Sequence, residues 1–269
     1  MKIIKSFKIL NKEINFNENI GFIPTMGALH KGHISLIRIG KKKTKKIIVS
    51  IFINPSQFNE TKDYLKYPRN INKDITILKK LKVNYLFLPN VSEIYKKGVS
   101  KRINILKKDK ILCAKYRKGH FEGVLAVVNR FMQKIKAKYI FFGEKDFQQI
   151  HLIKKYLSKN NDIKIISCKT IRNQNKLPLS SRNILLSKRS LINSEKISKL
   201  LFNFRSKIKN NINNKNFLKT YKIKIKKFCD KIEYLEIRNI KNLSNKLSKN
   251  NFKIFIAYRQ GNVRLIDNI

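Results

Sequence analysis

The segment at residues 21–40, GFIPTMGALHKGHISLIRIG, indicates how the chain begins to fold. The apolar stretch up to Thr25 is typical of a buried strand, the turn after it contains Gly27 and Gly32, and a helix is predicted to start at residues 33–35. In doubly wound α/β proteins, phosphates bind where such a glycine-containing turn opens a helix. The segment therefore predicts an anion-binding turn at the end of the strand.

Further along the chain, short apolar runs alternate with amphipathic stretches, which is the pattern of a parallel sheet with crossover helices. The predicted strands are residues 20–25, 46–54, 83–89, 138–144 and 163–170. Two helical faces are marked by Ile71, Ile75, Leu78 and Leu81, and by Val124, Val127, Val128, Phe131 and Ile135. The sequence therefore predicts a Rossmann-like, doubly wound parallel sheet.

The pattern changes after about residue 172, which places a first domain at residues 1–172 and a smaller α+β domain at 173–269. The second domain is predicted to contain helices at 188–210 and 215–230 and strands at 233–238, 252–258 and 263–267. Gln260 and Gly261 indicate a hairpin between the last two strands.

The charge is strongly positive, with 62 Lys and Arg against 16 Asp and Glu and a net charge of +46. A nucleic-acid site would concentrate Arg, Lys and aromatic residues on one face, whereas here Lys is spread along the chain together with Asn and Ile. These are the residues that an AT-biased genome favours. We therefore expect a basic surface with weak, salt-sensitive binding to polyanions and no specific nucleic-acid partner.

Cysteine usage and hydropathy bear on the compartment. Cys113, Cys168 and Cys229 are odd in number and lack a CxxC pair, which indicates free thiols in a reducing cytosol. Residues 1–16 begin like a basic signal peptide, but polar residues interrupt any apolar stretch. The apolar run at 47–53 is shorter than the ~18 residues that span a bilayer. We expect a soluble, cytoplasmic protein.

The turn matches neither common phosphate-binding motif. It is not a Walker A loop, because His33 follows GxxxxG where Lys and Ser or Thr are needed, and it is not GxGxxG. Three interpretations of His30 and His33 remain: structural residues, zinc ligands together with His120 and His151, or phosphate-binding groups. The glycines and the imidazole donors favour the phosphate interpretation, while a structural role remains open for His151.

At this point the motifs resemble a known family. HKGH (30–33) resembles the HxGH signature of the nucleotidylyltransferase superfamily, and PTMGALHKGHISLI (24–37) resembles the pantoate–β-alanine ligase (pantothenate synthetase) family within it. Further segments resemble that family in the same order, so that the resemblance covers essentially the full chain: VSIFINPSQFNETKDYLKYPR (49–69), RKGHFEGVLAVVNRF (117–131), FFGEKDFQQIHLI (141–153), LPLSSRNILLS (177–187) and IAYRQGNVRLIDN (256–268).

The resemblance implies a two-step reaction in a cytoplasmic homodimer. ATP activates (R)-pantoate as pantoyl adenylate with release of pyrophosphate, and β-alanine then displaces AMP to give pantothenate. It also implies Mg²⁺ and an ATP site. The implied ATP-binding residues are Met26, Gly27, Ala28, Leu29, His30, Lys31, Gly32 and His33, then Gly143, Glu144, Lys145 and Asp146, and finally Ile171, Leu179, Ser180, Ser181 and Arg182.

Individual roles follow from the resemblance. His33 becomes the proton donor and His30 its phosphate-facing companion, with imidazolium or backbone donors meeting charge on the departing pyrophosphate. Lys145 supplies positive charge to the phosphates, and Asp146 is a candidate Mg²⁺ ligand. Gln57 and Gln149 are the implied pantoate-binding residues, and Gln57 also lies near β-alanine. Neutral amides suit this role because they both donate and accept hydrogen bonds.

Some positions depart from the family pattern. NQNKLPL (173–179) stands where the family commonly has an Asp-Gly-Leu-Ala type of turn, which puts Lys176 in place of Gly and Pro178 in place of Ala. Lys118 replaces a usual Pro and Ala126 a usual Thr. The polar stretch at 59–69 is predicted to be a loop that closes over the site.

Two other functions are compatible with parts of the sequence. Another HxGH-class adenylyltransferase would pass AMP to a phosphorylated vitamin precursor, but the second glutamine of DFQQ and the NPSQF segment argue against it. A basic nucleic-acid-binding protein is supported only by charge.

Overall fold

The computed structural model describes residues 1–95, 103–158, 162–208, 215–248 and 250–269. Contacts between these residues divide the chain into two compact units, Met1–Lys169 and Thr170–Ile269.

The first unit contains a six-stranded parallel sheet in the order β1-β4-β3-β2-β5-β6. Its strands are β1 (Lys2–Ile4), β2 (Ile20–Thr25), β3 (Lys46–Ile51), β4 (Tyr85–Phe87), β5 (Tyr139–Gly143) and β6 (Lys164–Cys168). The five strands predicted from the sequence are all present. Strand β1 was not predicted, because three residues at the sheet edge are too few to show a periodic pattern.

Eight helices accompany this sheet in the described residues. They are α1 (Phe7–Glu13), α2 (Lys31–Lys43), α3 (Thr61–Lys66), α4 (Ile71–Lys80), α5 (Val91–Ile94), α6 (Cys113–Tyr116), α7 (His120–Lys134) and α8 (Phe147–Leu157). Single 3₁₀ turns occupy Pro55–Gln57, Lys107–Asp109 and Glu144–Asp146. The prediction of a loop at 59–69 was wrong, because α3 forms within it.

Helices cover both faces of the sheet. On one face, Ile23 packs in a buried cluster with Ile37 of α2 and Leu78 of α4. On the opposite face, the ring of Phe22 lies 5.3 Å from that of Phe131 on α7. Neighbouring residues of one strand point to opposite faces, so both faces of β2 are buried. The doubly wound, Rossmann-like fold predicted from the sequence is confirmed.

The second unit is α+β, as predicted. Its elements are a 3₁₀ segment (Ser181–Leu185), α9 (Lys188–Ile208), α10 (Lys215–Lys226), β7 (Lys231–Asn239), β8 (Phe252–Gln260) and β9 (Val263–Asn268). The strands form an antiparallel sheet in the order β7-β8-β9. Gly261 lies between β8 and β9, which confirms the predicted hairpin. Residues 209 and 210 of the predicted helix 188–210 lie outside the described residues.

One helix pair and one face of β8 form the core of the second unit. The rings of Phe204 on α9 and Tyr221 on α10 stack with their centroids 4.5 Å apart. They pack with Ile254, Ile256 and Tyr258, which are alternate residues of β8 and therefore share one face. In the described residues of the whole chain, none of the helices has the length and apolar character needed to cross a membrane.

Candidate active site

The candidate site lies at the carboxyl end of β2, where the chain direction across the sheet reverses. From β2 the chain proceeds through β3 to β4, and it later returns to the other side of β2 to form β5 and then β6. Ligands of doubly wound proteins bind outside the carboxyl ends of the strands at such a switch point. The loops after β2 and after β5 are therefore the positions where function is expected.

The turn after β2 has an unusual backbone that a buried carboxylate stabilises. Gly27 and Ala28 both have positive φ angles, +79° and +50°. The two oxygens of Asp74 on α4 accept hydrogen bonds from the backbone amides of Ala28 and Leu29, each at 2.8 Å. Burial raises the pKa of the Asp74 carboxyl, and the two amide donors act in the opposite direction. The amides of Ala28 and Leu29 thus serve the fold of the turn.

Asp74 was not identified from the sequence, although a signal was present. It lies three residues after Ile71 and four before Leu78, so it occupies the face of α4 that was predicted to be apolar. The structure buries Asp74 to 2% exposure, whereas Ile71 at the start of the helix is 38% exposed. A charged residue on a predicted apolar face indicates a buried polar contact, but the local pattern does not identify the partner.

His30 and His33 form a reciprocal cap at the start of α2. The backbone N–H of Gly32 donates to His30 Nδ1 at 3.1 Å, and the backbone N–H of His30 donates to His33 Nδ1 at 3.3 Å. The two rings lie with their centroids 4.1 Å apart. A Cβ atom at Gly32 would lie 2.7 Å from His30 Cε1. The glycine of HKGH is therefore needed for close approach of the first imidazole.

Burial and the local charge keep both histidines neutral. Burial lowers the pKa of His30 from 6.5 to about 4, and the ammonium of Lys145 acts in the same direction. Burial, then His30 and Lys145, lower the pKa of His33 from 6.5 to about 3. Because each Nδ1 accepts an amide hydrogen, each neutral ring carries its own hydrogen on Nε2. Without a bound phosphate, each ring therefore offers a neutral Nε2–H donor.

The turn after β5 brings the charged residues of GEKD to this switch point. Lys145 is close enough to both histidines to lower their pKa values. Its Nζ lies 3.0 Å from Asp146 Oδ1, and the side chains of Lys145 and Asp146 are 20% and 43% exposed. Gly143 is the last residue of β5, and Glu144 begins the 3₁₀ turn. The two predicted ATP segments of the first unit therefore lie beside each other.

A magnesium ion fits this arrangement only as a companion of phosphate. Mg²⁺ is commonly held by one or two carboxylates together with phosphate oxygens and waters. Asp146 supplies one partly exposed carboxylate. Among the described residues, no group of three or more His, Cys, Asp or Glu side chains could hold a metal. The donor set suits an ion that arrives with the triphosphate.

Gln57 lies beside the same turn and is fixed from several directions. Its side chain is 9% exposed, and its Nε2 lies 2.8 Å from Met26 Sδ. Asn54 Nδ2 donates to Gln57 Oε1 at 3.3 Å and to the carbonyl of Gly123 at 3.2 Å. Asn54 is itself buried and was not singled out from the sequence. These contacts bring the predicted pantoate residue next to the predicted ATP loop.

The backbone of Gln57 is held by the start of α7. His120 Nδ1 donates to the Gln57 carbonyl at 2.6 Å, and Arg117 Nη1 donates to His120 Nε2 at 2.8 Å. Both ring nitrogens of His120 are thus occupied, which contradicts the zinc interpretation for this residue. A Cβ atom at Gly123 would lie 2.3 Å from the carbonyl oxygen of Ser56. The helix and the turn are therefore in direct backbone contact.

The two glutamines of DFQQ have different environments. Gln148 is buried, accepts a hydrogen bond from the Cys113 amide at 3.0 Å, and donates to the Ile111 carbonyl at 2.7 Å. Gln149 is half-buried, and its side-chain amide makes no hydrogen bond with the described part of the chain. The family resemblance assigned pantoate binding to Gln149. Of the two glutamines, Gln149 is the one whose side-chain amide is available to a ligand.

The remaining predicted ATP residues belong to the second unit. The amide of Leu179 donates to the carbonyl of Ile171 at 2.9 Å, which brings these two residues together. Ser180 caps the 3₁₀ segment that follows it, and its Oγ accepts from the Arg182 amide at 3.3 Å. Ser181 is buried and Arg182 is half-buried.

The atypical turn that precedes this segment is well formed. Lys176, which stands where the family commonly has Gly, has a φ of +70°. Glu195 on α9 accepts hydrogen bonds from the side-chain amides of Asn173 and Asn175 at 2.7 and 2.8 Å. Lys176 therefore occupies a left-handed backbone position, where a side chain is unfavourable.

The three cysteines are free thiols. Burial raises the pKa of Cys168 and of Cys229 to about 11, so both remain protonated at neutral pH.

A doubly wound sheet with a glycine turn, a helix N-terminus and a lysine at its switch point defines an α/β enzyme of the nucleotide-binding class. Comparison with known proteins identifies the family. Residues 2–269 match the family described as "Pantoate-beta-alanine ligase". The chain belongs to the pantoate–β-alanine ligase family, whose members are ligases.

Relatives match over the full length. The chain is 38% identical over 277 residues to a pantothenate synthetase of Pseudothermotoga lettingae, covering 100% of this chain and 97% of that protein. It is 41% identical over 279 residues to one from Buchnera aphidicola subsp. Acyrthosiphon pisum, with coverage of 100% and 98%.

Solved structures show the same similarity. The pantothenate synthetase of Thermus thermophilus has a TM-score of 0.92 at 28% identity and covers 100% of this chain and 99% of that one. A pantoate-beta-alanine ligase from Francisella tularensis, described as complexed with "Beta-gamma ATP and Beta-alanine", has a TM-score of 0.85 at 38% identity, with coverage of 100% and 97%.

Proposed function

We propose that this protein condenses (R)-pantoate with β-alanine to give pantothenate, AMP and pyrophosphate at the expense of ATP. The observation that carries the proposal is the pair of neutral histidines at the start of α2, beside Lys145. Neutral imidazoles and one ammonium form a donor set aimed at phosphate oxygens. Family membership supports the same activity.

The first step is adenylation. A pantoate carboxylate oxygen attacks the α-phosphorus of ATP, the bond from that phosphorus to the bridging oxygen breaks, and pyrophosphate leaves with the electron pair. His30 and His33 donate hydrogen bonds through Nε2 to the charge that develops on the leaving group, and Lys145 adds electrostatic attraction. Asp146 would help to hold Mg²⁺, which would supply positive charge to the triphosphate.

The second step joins β-alanine to the activated acyl group. The amine nitrogen attacks the acyl carbon of pantoyl adenylate, the bond from that carbon to the AMP oxygen breaks, AMP leaves with the electron pair, and the proton lost by the amine passes to water. We assign the pantoate contacts to Gln57 and Gln149, with Gln57 also near β-alanine. The amide of Gln57 is held in place by Asn54, and that of Gln149 is available. Neither amide carries a charge that would neutralise the pantoate carboxylate, the nucleophile of the first step.

The remaining assignments complete the proposal. We place nucleotide contacts at Met26–His33, at Gly143–Asp146, at Ile171 and at Leu179–Arg182, with Arg182 suited to bind phosphate oxygens. We propose that residues 1–172 form the nucleotide- and pantoate-binding domain and residues 173–269 the smaller one. We also propose that residues 59–69 cover the adenylate against water, and that the enzyme works as a cytoplasmic homodimer.

Pantoate-dependent exchange of labelled pyrophosphate into ATP tests the proposal directly. The wild-type protein should catalyse exchange only when pantoate is present, and it should form pantothenate and AMP when β-alanine is added. His33→Ala should lower the exchange rate by about 10²–10³-fold, the usual loss for one such donor. Exchange that is independent of pantoate, or a variant with wild-type turnover, would overturn the assignment.

A further inference from the structure

Asp74 is a buried carboxylate that contacts the predicted ATP-binding turn after β2. None of the reaction steps proposed above uses it. It is 2% exposed and lies in the first turn of α4, whose N-terminus Asn70 caps through the Lys73 amide. Each of its oxygens accepts one backbone amide, from Ala28 and from Leu29, at 2.8 Å. The carboxylate therefore joins α4 to the turn that follows β2.

The chemistry of this contact requires a carboxylate. Two consecutive amides point toward one side chain, so that side chain must present two acceptors and no hydrogen. An ionised Asp does this, whereas the amide of Asn presents one acceptor and one N–H group that would face a second N–H group. A hydrogen bond from a backbone amide to an ionised carboxylate is also shorter and stronger than a neutral one.

The contact fixes a backbone that is otherwise unfavourable. Gly27 and Ala28 both lie in the left-handed region, and Ala28 carries a side chain there. A Cβ atom at Gly27 would lie 3.0 Å from Asp74 Oδ2, so the carboxylate sits directly against this turn. His30 follows Leu29 immediately, and the direction in which α2 begins depends on the turn that Asp74 holds.

A negative charge so near a proposed triphosphate site also needs an explanation. An exposed carboxylate would repel the phosphates, but both oxygens of Asp74 are engaged by amides and the side chain is removed from solvent. The amides that Asp74 occupies are no longer available to phosphate. At this turn, anion binding therefore depends on the side chains of His30 and His33 with Lys145 beside them, which makes their placement important.

We propose that Asp74 is a positioning residue for the adenylation step: by holding the amides of Ala28 and Leu29 it sets the imidazoles of His30 and His33 against the departing pyrophosphate. The inference rests on the proposed function. It predicts a selective effect, because Asp74 acts on the groups that serve adenylation and not on the attack by β-alanine.

The test compares the two half-reactions in Asp74→Asn. Pantoate-dependent ATP–pyrophosphate exchange should fall by about 100-fold, which is the effect of a shift of about 1 Å in catalytic groups. The conversion of supplied pantoyl adenylate and β-alanine to pantothenate should stay within about twofold of wild type. Partial unfolding lowers both rates by the same factor, so their ratio reports positioning even in a destabilised variant.

Two further variants complete the design. Asp109→Asn is the matched control, because Asp109 is also a buried carboxylate of the first unit and its partners are Lys155 and Tyr156. It should lower stability without changing the ratio of the half-reactions. Asp74→Glu retains two acceptor oxygens but moves them by one methylene group, and it should also lower exchange more than the second half-reaction.

Nitrogen NMR of the imidazole rings provides a readout that does not depend on activity. Wild-type His30 and His33 should both show the Nε2–H tautomer, and Asp74→Asn should show a mixture of tautomers at these two rings while His120 is unchanged. Equal losses in both half-reactions, or unchanged imidazole spectra in Asp74→Asn, would overturn the inference. A wild-type protein without pantoate-dependent exchange would instead refute the proposed function, and the spectra would still test the role of Asp74 in the turn.

Discussion

Acidification should destabilise the protein through His30 and His33. In the folded protein their pKa values are lowered from 6.5 to about 4 and to about 3. At pH 5 the unfolded chain therefore binds a proton on each imidazole, whereas the folded protein binds almost none. The free energy of unfolding must fall as the pH is lowered through 6.5, and this fall ends only near the folded-state pKa values.

The size of the effect follows from the same values. One proton bound only by the unfolded chain changes the free energy of unfolding by about 1.4 kcal/mol per pH unit. Between pH 6.5 and about pH 5 each histidine contributes about 2 kcal/mol, and the pair contributes about 4 kcal/mol. This is a large part of the stability of an ordinary domain, which is about 5–15 kcal/mol.

A matched variant isolates this contribution. His30→Asn with His33→Gln replaces both imidazoles by residues that do not titrate, and Asn and Gln are favoured at the cap and at the third helical position. Urea unfolding followed by circular dichroism, at about pH 7.5 and about pH 5, should show a loss about 4 kcal/mol smaller in the variant than in wild type. Proton NMR titration of the two rings checks the pKa values directly.

Equal pH dependence in both proteins would refute the reasoning, since His120 and His151 are present in each. Folded-state pKa values near 6.5 for His30 and His33 would refute it as well. In that case the two rings would be partly charged at neutral pH, and the neutral-donor form of the proposed adenylation step would also be wrong.

Three other substitutions test single contacts. Lys176→Gly should raise the free energy of unfolding by about 1 kcal/mol, because glycine tolerates the φ of +70° at this position; a loss in urea unfolding would contradict this. Gly123→Ala should cost about 1–3 kcal/mol, because its methyl group would lie 2.3 Å from the Ser56 carbonyl oxygen, and an unchanged thermal midpoint would show that the helix can move away. His120→Ala removes the hydrogen bond to the Gln57 carbonyl. It should raise KM for pantoate about tenfold, the equivalent of one hydrogen bond, while KM for ATP stays within twofold. Steady-state kinetics with each substrate varied measures both constants, and an equal change in the two would contradict this prediction.

Local patterns were sufficient for most of the fold. The apolar runs that became β2 to β6 are short and are separated by amphipathic segments, so length and periodicity distinguish them. The pattern failed where a segment was short or polar. Strand β1 has only three residues, and α3 lies in a polar stretch without an apolar face that would indicate a helix.

The site was predictable only in part, for a similar reason. His30, His33 and Gly32 are close in sequence, so a turn near a helix start was predicted from them, and the structure shows that the two histidines cap that helix. Asp74 lies 46 residues from Ala28, with which it pairs, and no local pattern contains that pairing. The carbonyl of Gln57 is likewise held by His120, 63 residues away. Contacts at such separations depend on the packing of the whole sheet.

The backbone contact between Gly123 and Ser56 has a consequence for substrate choice. At Gly123 and Ser56 the two backbones meet without a side chain between them, so at this point there is no compressible layer through which the turn could adjust to a differently shaped hydroxy acid. If Gln57 binds pantoate as proposed, the side of the pantoate site formed by this turn is rigid. Larger or differently branched acids should therefore be excluded by steric fit.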